Sequence, residues 1–250
     1  MADDDYLDAI DYTKDTLDVE DFTEVQHAVK LQDVFRTYKF GKEEIRALNG
    51  VSLVINQGDF VVASGKSGSG KTTLLNIIGA IDLVTSGRVF VMDVPINDYD
   101  ESFRSTFRLD NTGFIFQSYN LVSTLTAVEN VMFPMQLTSK NQSELREDAI
   151  KLLEEVEMGH RLDHLPWQLS SGEQQRVAIA RAMANDPAII LADEPTANLD
   201  GESGQMIRDL LAKLNEQGKT LIVMTHDEDI INRKGVRHFT MKTGELNQNV

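Results

Sequence analysis

The octet Gly65-Lys66-Ser67-Gly68-Ser69-Gly70-Lys71-Thr72 constrains this chain more than any other stretch, because it fits G-x-x-x-x-G-K-[ST] in the setting that pattern requires. An apolar run from Phe60 to Ala63 precedes it and reads as a strand, and Leu74, Leu75, Ile77 and Ile78 follow at helical spacing. A strand that runs through glycines into a helix can wrap its backbone N–H groups around an anion. The helix N-terminus adds favourable partial charge there. Lys71 can then reach the outer phosphates of a nucleotide, and the Thr72 hydroxyl can ligate Mg²⁺. The loop points to nucleotide binding without saying which nucleotide or for what task.

With 250 residues the chain can build one large α/β domain or two small ones. It has no cysteine, which excludes disulfides and thiolate metal sites and suits a reducing compartment. No apolar run approaches the roughly 20 residues that span a bilayer, and the first residues lack the apolar core of a signal peptide. A role at a membrane would therefore need another chain to supply the membrane part. The net charge of −16 is uneven: residues 1–25 carry ten acidic side chains against Lys14 alone. Residues 1–26 thus read as an acidic, disordered leader and 27–250 as the folded domain. The sign of the charge argues against nucleic acid as a partner, since phosphate binding wants a basic face.

Segments rich in β-branched and aromatic residues come first after His27: Ala28–Tyr38, then Val51, Leu53 and Ile55 in alternation. Strands follow the loop helix at Arg88–Met92 and Gly113–Phe116, and residues 120–185 read as mostly helical. Ser143 is a plausible N-cap for a helix whose apolar stripe is Leu145, Ala149, Leu152, Leu153 and Val156. Ala188–Ala192 and Leu221–Met224 read as buried strands flanking a helix that turns Met206, Ile207, Leu210, Leu211 and Leu214 inward and stops at Gly218. Val236–Leu246 reads as a hairpin turning at Thr243-Gly244. Strands alternating with helices imply an α/β fold with a largely parallel core sheet, a strand-rich piece before it and a helical insert within it.

Two further motifs carry chemistry. Ile189–Leu191 leads through Ala192 into Asp193-Glu194, and an apolar strand ending in a carboxylate is how such loops acquire a second Mg²⁺ contact. Glu194 beside it can act as general base on an attacking water. Leu169-Ser170-Ser171-Gly172-Glu173-Gln174-Gln175-Arg176 is a small-residue turn opening a helix, which is either a second anion site or an ordinary N-cap.

Taken together over residues 28–246, these motifs resemble the ATP-binding cassette (ABC) ATPases. The resemblance implies a P-loop NTPase of ABC type, with a parallel-sheet core, an N-terminal antiparallel β subdomain and a helical subdomain over about 120–185. It makes Leu169–Glu173 the family signature, Gln117 the Q-loop glutamine and a Mg²⁺ ligand, Asn198-Leu199-Asp200 the D-loop, and His226 the switch histidine. Tyr38 stands where the family places its adenine-stacking aromatic, with Phe40 the second choice. ATP and Mg²⁺ are then expected between Gly65–Thr73, Gln117, Asp193, Glu194 and His226 of one subunit and Ser170 and Gly172 of another. Lys71, Gln117, Glu194 and His226 would be catalytic, Thr72, Gln117 and Asp193 would hold the metal, and Asp200 would lie near the nucleotide.

Within the family, Leu75–Gly79, Gly113–Asn120 and Leu125–Val131 resemble the lipoprotein-releasing and macrolide/peptide-export ATPases, with the cell-division ABC ATPase a close relative. The implied protein is a homodimer, or a heterodimer with a similar ATPase, acting in the cytoplasm on the inner face of the membrane through separate permease subunits. An ATP-driven signalling module on a non-transporting membrane partner is the alternative. Three residues depart from the family pattern: Lys66 for the usual Pro, Ser171 for the first signature glycine, and Glu173 for Gln. Lys66 reads as solvent-facing, and Ser171 leaves the signature turn geometry open. Trp167 reads as a packing residue ahead of the signature.

Overall fold

The computed structural model describes residues 27–41, 43–137 and 141–249; the acidic leader lies outside the described residues. The chain begins with β1 (His27–Phe40), β2 (Glu43–Asn56) and β3 (Phe60–Ser64), and the P-loop then leads into α1 (Lys71–Ile78). β4 (Ser86–Val91) and β5 (Val94–Pro95) precede α2 (Glu101–Asn111) and β6 (Thr112–Ile115). The helical insert consists of α3 (Ala127–Met135), α4 (Gln142–Glu155) and α5 (Ser171–Ala182). β7 (Ile189–Asp193), α6 (Gly201–Glu216), β8 (Thr220–Met224), α7 (Glu228–Ile231), β9 (Val236–Lys242) and β10 (Glu245–Gln248) complete it.

These strands form an antiparallel sheet in the order β2-β1-β4-β5 and a six-stranded sheet in the order β10-β9-β3-β8-β7-β6. The larger sheet is parallel except for β10, which turns back on β9 through Thr243 and Gly244, both at positive φ. Its central strands are apolar on both faces, as strands covered on two sides must be. Alternation then sorts side chains into two cores. Phe60, Val62, Ile190, Ala192, Leu221 and Val223 face the helical insert, where they meet Val128, Val131, Leu145, Leu153 and Val177. Val61, Ala63, Ile189, Leu191, Ile222 and Met224 face α1 and the antiparallel sheet.

The expected helix stripes form, with Leu145, Ala149, Leu153 and Val156 buried on and just beyond α4, and Ile207, Leu211 and Leu214 buried on α6. Three local readings change. The α4 N-cap is Asn141, not Ser143: its side chain accepts from the Ser143 and Glu144 N–H groups, while Glu144 returns a bond to the Asn141 N–H. Trp167 is 73% exposed and so is not the packing residue expected. α2, which the apolar pattern does not announce, is capped by Asp100 and buries only Arg104 and Phe107.

Gly113 explains how β6 reaches its place beneath the signature helix. A Cβ there would stand 2.1 Å from the Ala182 carbonyl oxygen at the end of α5, and backbone cannot yield as a flexible side chain can. Gly113→Ala should therefore lower the unfolding free energy by about 1–3 kcal/mol, the usual cost of overpacking. Urea denaturation of the two proteins measures it; unchanged midpoints would show that β6 and α5 are not so closely apposed.

Candidate active site

After Ser64 the chain turns through Gly65 at φ 155° and Gly70 at φ 108°. A Cβ at 65 would lie 2.2 Å from the Met241 carbonyl oxygen, and one at 70 would lie 2.3 Å from that of Ala47, so neither position accepts a side chain. Among the described residues no side chain caps the N-terminus of α1, leaving its first N–H groups directed into the loop. The Ser69 hydroxyl is buried and has no hydrogen-bond partner among the described residues. Lys71 Nζ donates to the Gly65 carbonyl and, at 3.4 Å, to that of Lys66, and lies 3.5 Å from His226 Nε2. A cradle of backbone donors, an unsatisfied hydroxyl and a buried ammonium fits a polyphosphate.

The acidic side of the site comes from β7. Thr72 Oγ1 donates to Asp193 Oδ2 at 2.8 Å, so the hydroxyl and carboxylate that would share a divalent cation already converge. The oxygen-only character of this pair suits Mg²⁺. Glu194 follows with φ 47°, a left-handed conformation that costs a non-glycine residue about 1–2 kcal/mol. Its N–H bonds the Met224 carbonyl at 2.7 Å, and its Oε2 accepts the His226 N–H at 3.3 Å. Glu194 Oε1 lies 3.7 Å from His226 Nε2. The buried Gln175 of α5 holds the loop beyond by donating to the Pro195 carbonyl at 2.8 Å.

These groups line one cavity of about 620 Å³, bounded by Tyr38, Ser67–Thr73, Gln117, Asp193, Glu194 and His226. Pattern reading missed Ile45, Arg46 and Ala47 of β2, which complete its wall. It also missed how Tyr38 is held: the phenol donates to Asp82 Oδ2 at 2.6 Å, and the Arg36 guanidinium lies 4.5 Å from the ring centroid. Arg36 binds both Asp82 oxygens in turn. The only hint was Asp82 just beyond the loop helix. Phe40's side chain lies outside the described residues. Lys66 is exposed and lies outside the cavity lining, so its side chain matches the solvent-facing reading.

The signature residues do not join this cavity. Ser170 is the exposed N-cap of α5, accepting from the Glu173 N–H, while Glu173 Oε2 accepts the Ser170 N–H at 2.8 Å. Ser171 occupies the first helical position, and its φ is not positive, so serine strains nothing there. Gly172 is different: a Cβ would meet Ser203 Oγ at 2.5 Å. Ser203 in turn binds Asp200, the N-cap of α6, which places the signature turn and the D-loop side by side on one surface.

Comparison with known proteins gives the family. Residues 48–197 match the ABC transporter family. The chain belongs to it. It is 48% identical to an uncharacterized ABC transporter ATP-binding protein, MJ0796, of Methanocaldococcus jannaschii, over 87% of this chain and 94% of that one. It is 45% identical over 82% of its length to the macrolide export ATP-binding/permease protein MacB of Hyphomonas neptunium, of which it spans 32%. The dimeric post-hydrolysis structure of MJ0796 bound to ADP and Pi superposes with a TM-score of 0.83 at 46% identity, covering 88% of this chain and 97% of that one. The protein is thus an ABC transporter ATP-binding protein with an ATPase domain.

Glu173 offers a pH test of the signature turn. Burial alone would raise its pKa, but the Ser170 N–H and the Arg161 guanidinium, 3.0 Å from Oε1, outweigh it and hold the carboxyl below 4.5. A depressed folded value means that its contribution is present at neutral pH and is lost as pH falls through that value. The melting-temperature difference between the parent and Glu173→Gln should therefore shrink on acidification below 4.5. A difference independent of pH would show that the carboxylate is not so held.

Proposed function

We propose that two copies of this ATPase close around two ATP molecules, each bound to the P-loop of one copy and completed by the signature of the other. The observation that carries this reading is the separation of the two half-sites: the P-loop, Asp193, Glu194 and His226 share one cavity, whereas Ser170, Gly172 and Asp200 lie outside it with Ser170 exposed. A second chain brought face to face supplies what one chain lacks, in the isologous manner of a two-fold dimer. The dimeric MJ0796 cassette supports the same arrangement.

In that arrangement the loop amides and Lys71 bind the β- and γ-phosphates, and Tyr38 stacks on the adenine. Thr72, Asp193 and Gln117 would hold Mg²⁺, which would supply neutralisation of charge on the phosphates when bound. Glu194 takes a proton from, or aligns, the attacking water, and His226 meets the γ-phosphate. Ser170 and the Gly172 N–H reach the same phosphate from the partner copy. Closure with ATP and opening after hydrolysis would drive a separate membrane permease of the exporter or lipoprotein-releasing kind, on whose inner face the protein would sit. Among the described residues no helix is long and apolar enough to cross a membrane itself.

Glu194→Gln keeps the side-chain shape and removes the base, which should slow hydrolysis by roughly 10²–10⁴-fold while sparing ATP binding. The variant should elute as a dimer with ATP and as a monomer with ADP, by size exclusion with light scattering. A monomer in saturating ATP, at a concentration where nucleotide binding is verified, would contradict closure around ATP.

A further inference from the structure

We propose that Arg208 of α6, acting through Asp227, is a positioning residue that fixes the Glu194 loop against the His226 loop; the inference rests on the reading of Glu194 and His226 given above. Asp227 follows His226 directly, and Thr196 lies two residues beyond Glu194. One oxygen, Asp227 Oδ2, accepts both Thr196 Oγ1 and Arg208 Nη1, each at 2.8 Å. The other oxygen accepts the Asp229 N–H at 3.0 Å, and the Asp227 N–H donates to Thr225 Oγ1 at 3.0 Å. The carboxylate thereby ties together the segment after β7, the segment after β8 and the helix between them.

Arg208 has its own orientation fixed. Its Nε donates to Gln205 Oε1 at 3.2 Å, and Nη2 lies 3.4 Å from Asp229 Oδ2. The side chains of Arg208 and Asp227 are only 17% and 13% exposed. A buried ion pair is a weak source of net stability, because desolvation of both ions offsets their attraction. What a guanidinium provides that an apolar side chain of similar size would not is direction, by fixing where the carboxylate points. Direction matters here because Glu194 is held in the left-handed region at φ 47°, a conformation that persists only where its surroundings over-determine it. Gln175 restrains Pro195 from one side, and the Asp227–Thr196 bond restrains the next residue from the other. Releasing the second restraint lets the Glu194 carboxylate drift from the water it must align, while the P-loop that binds the nucleotide is untouched.

The test is steady-state ATP hydrolysis by the full chain carrying Arg208→Met, Arg208→Lys or Thr196→Val, with melting temperatures recorded alongside. Arg208→Met and Thr196→Val should each lower kcat about tenfold with KM for ATP within about twofold of the parent, since small misplacements of a reacting group are costly. Arg208→Lys should restore part of kcat, because it keeps a cation within reach of Asp227. Parental kcat in Arg208→Met overturns the inference. So does a loss in which kcat, KM and melting temperature all worsen and lysine rescues none of it, which marks a merely structural pair. Glu194→Gln runs in the same assay: if it loses turnover while Arg208→Met does not, this inference alone fails. Parental turnover in both overturns the reading of the site and the inference with it.

Discussion

The parallel pairing of β3, β6, β7 and β8 brings their carboxyl ends to one edge of the sheet, with Ala63 beside Met224, Asp193 beside Met224 and Ile115 beside Ala192. Everything that follows these strands is therefore delivered to the same place: the P-loop after β3, Gln117 after β6, Asp193 and Glu194 at the end of β7, and His226 after β8. Ligands of open α/β sheets bind at this edge for that reason. Residues 46 to 155 positions away from Lys71 in sequence thus become its neighbours with no flexible arm to place them. The partner end of the arrangement is equally fixed, because α5 is pinned on β6 by the missing side chain at Gly113.

The site is assembled from restraints on backbone more than from contacts between side chains. Gly65 and Gly70 let the loop lie against Met241 and Ala47, and Glu194 is locked by bonds to Met224 and His226 on its own edge of the sheet. Preorganised dipoles of this kind act on developing charge without first having to reorient. The capping box at Ser170 serves the other half-site in the same way. It satisfies the Ser170 and Glu173 N–H groups while leaving Ser170 on the surface, where a second copy can meet it.

Most of this was legible in the sequence because motifs and periodicity are local. Loop spacing, the carboxylate pair after an apolar strand, and the period-2 and period-3.6 stripes of the buried elements all survive without tertiary knowledge. What escaped depends on contacts between distant segments. Tyr38 could be named, but its anchor, Asp82 held by Arg36, becomes visible only when β1 meets the end of α1. The β2 wall at Ile45–Ala47 carries no motif, and α2 presents too few apolar residues for its period to register. Trp167 misled for the opposite reason: a large aromatic suggests burial, yet the short turn at Pro166–Gln168 points it to solvent. Arg208 and Asp227 belong to no motif, and only the fold pairs them.

The claim at the centre is that each complete site draws on two chains, and mixing two inactive variants tests it directly. Lys71→Ala spoils a P-loop and leaves its signature intact; Ser170→Arg does the reverse. A mixed dimer then retains one whole site, so equal mixing of the two purified chains should restore about a quarter of the parental ATPase rate, half the dimers each carrying one of two sites. A mixture no more active than its components would contradict the account, because it would mean that each chain must hold a complete site by itself.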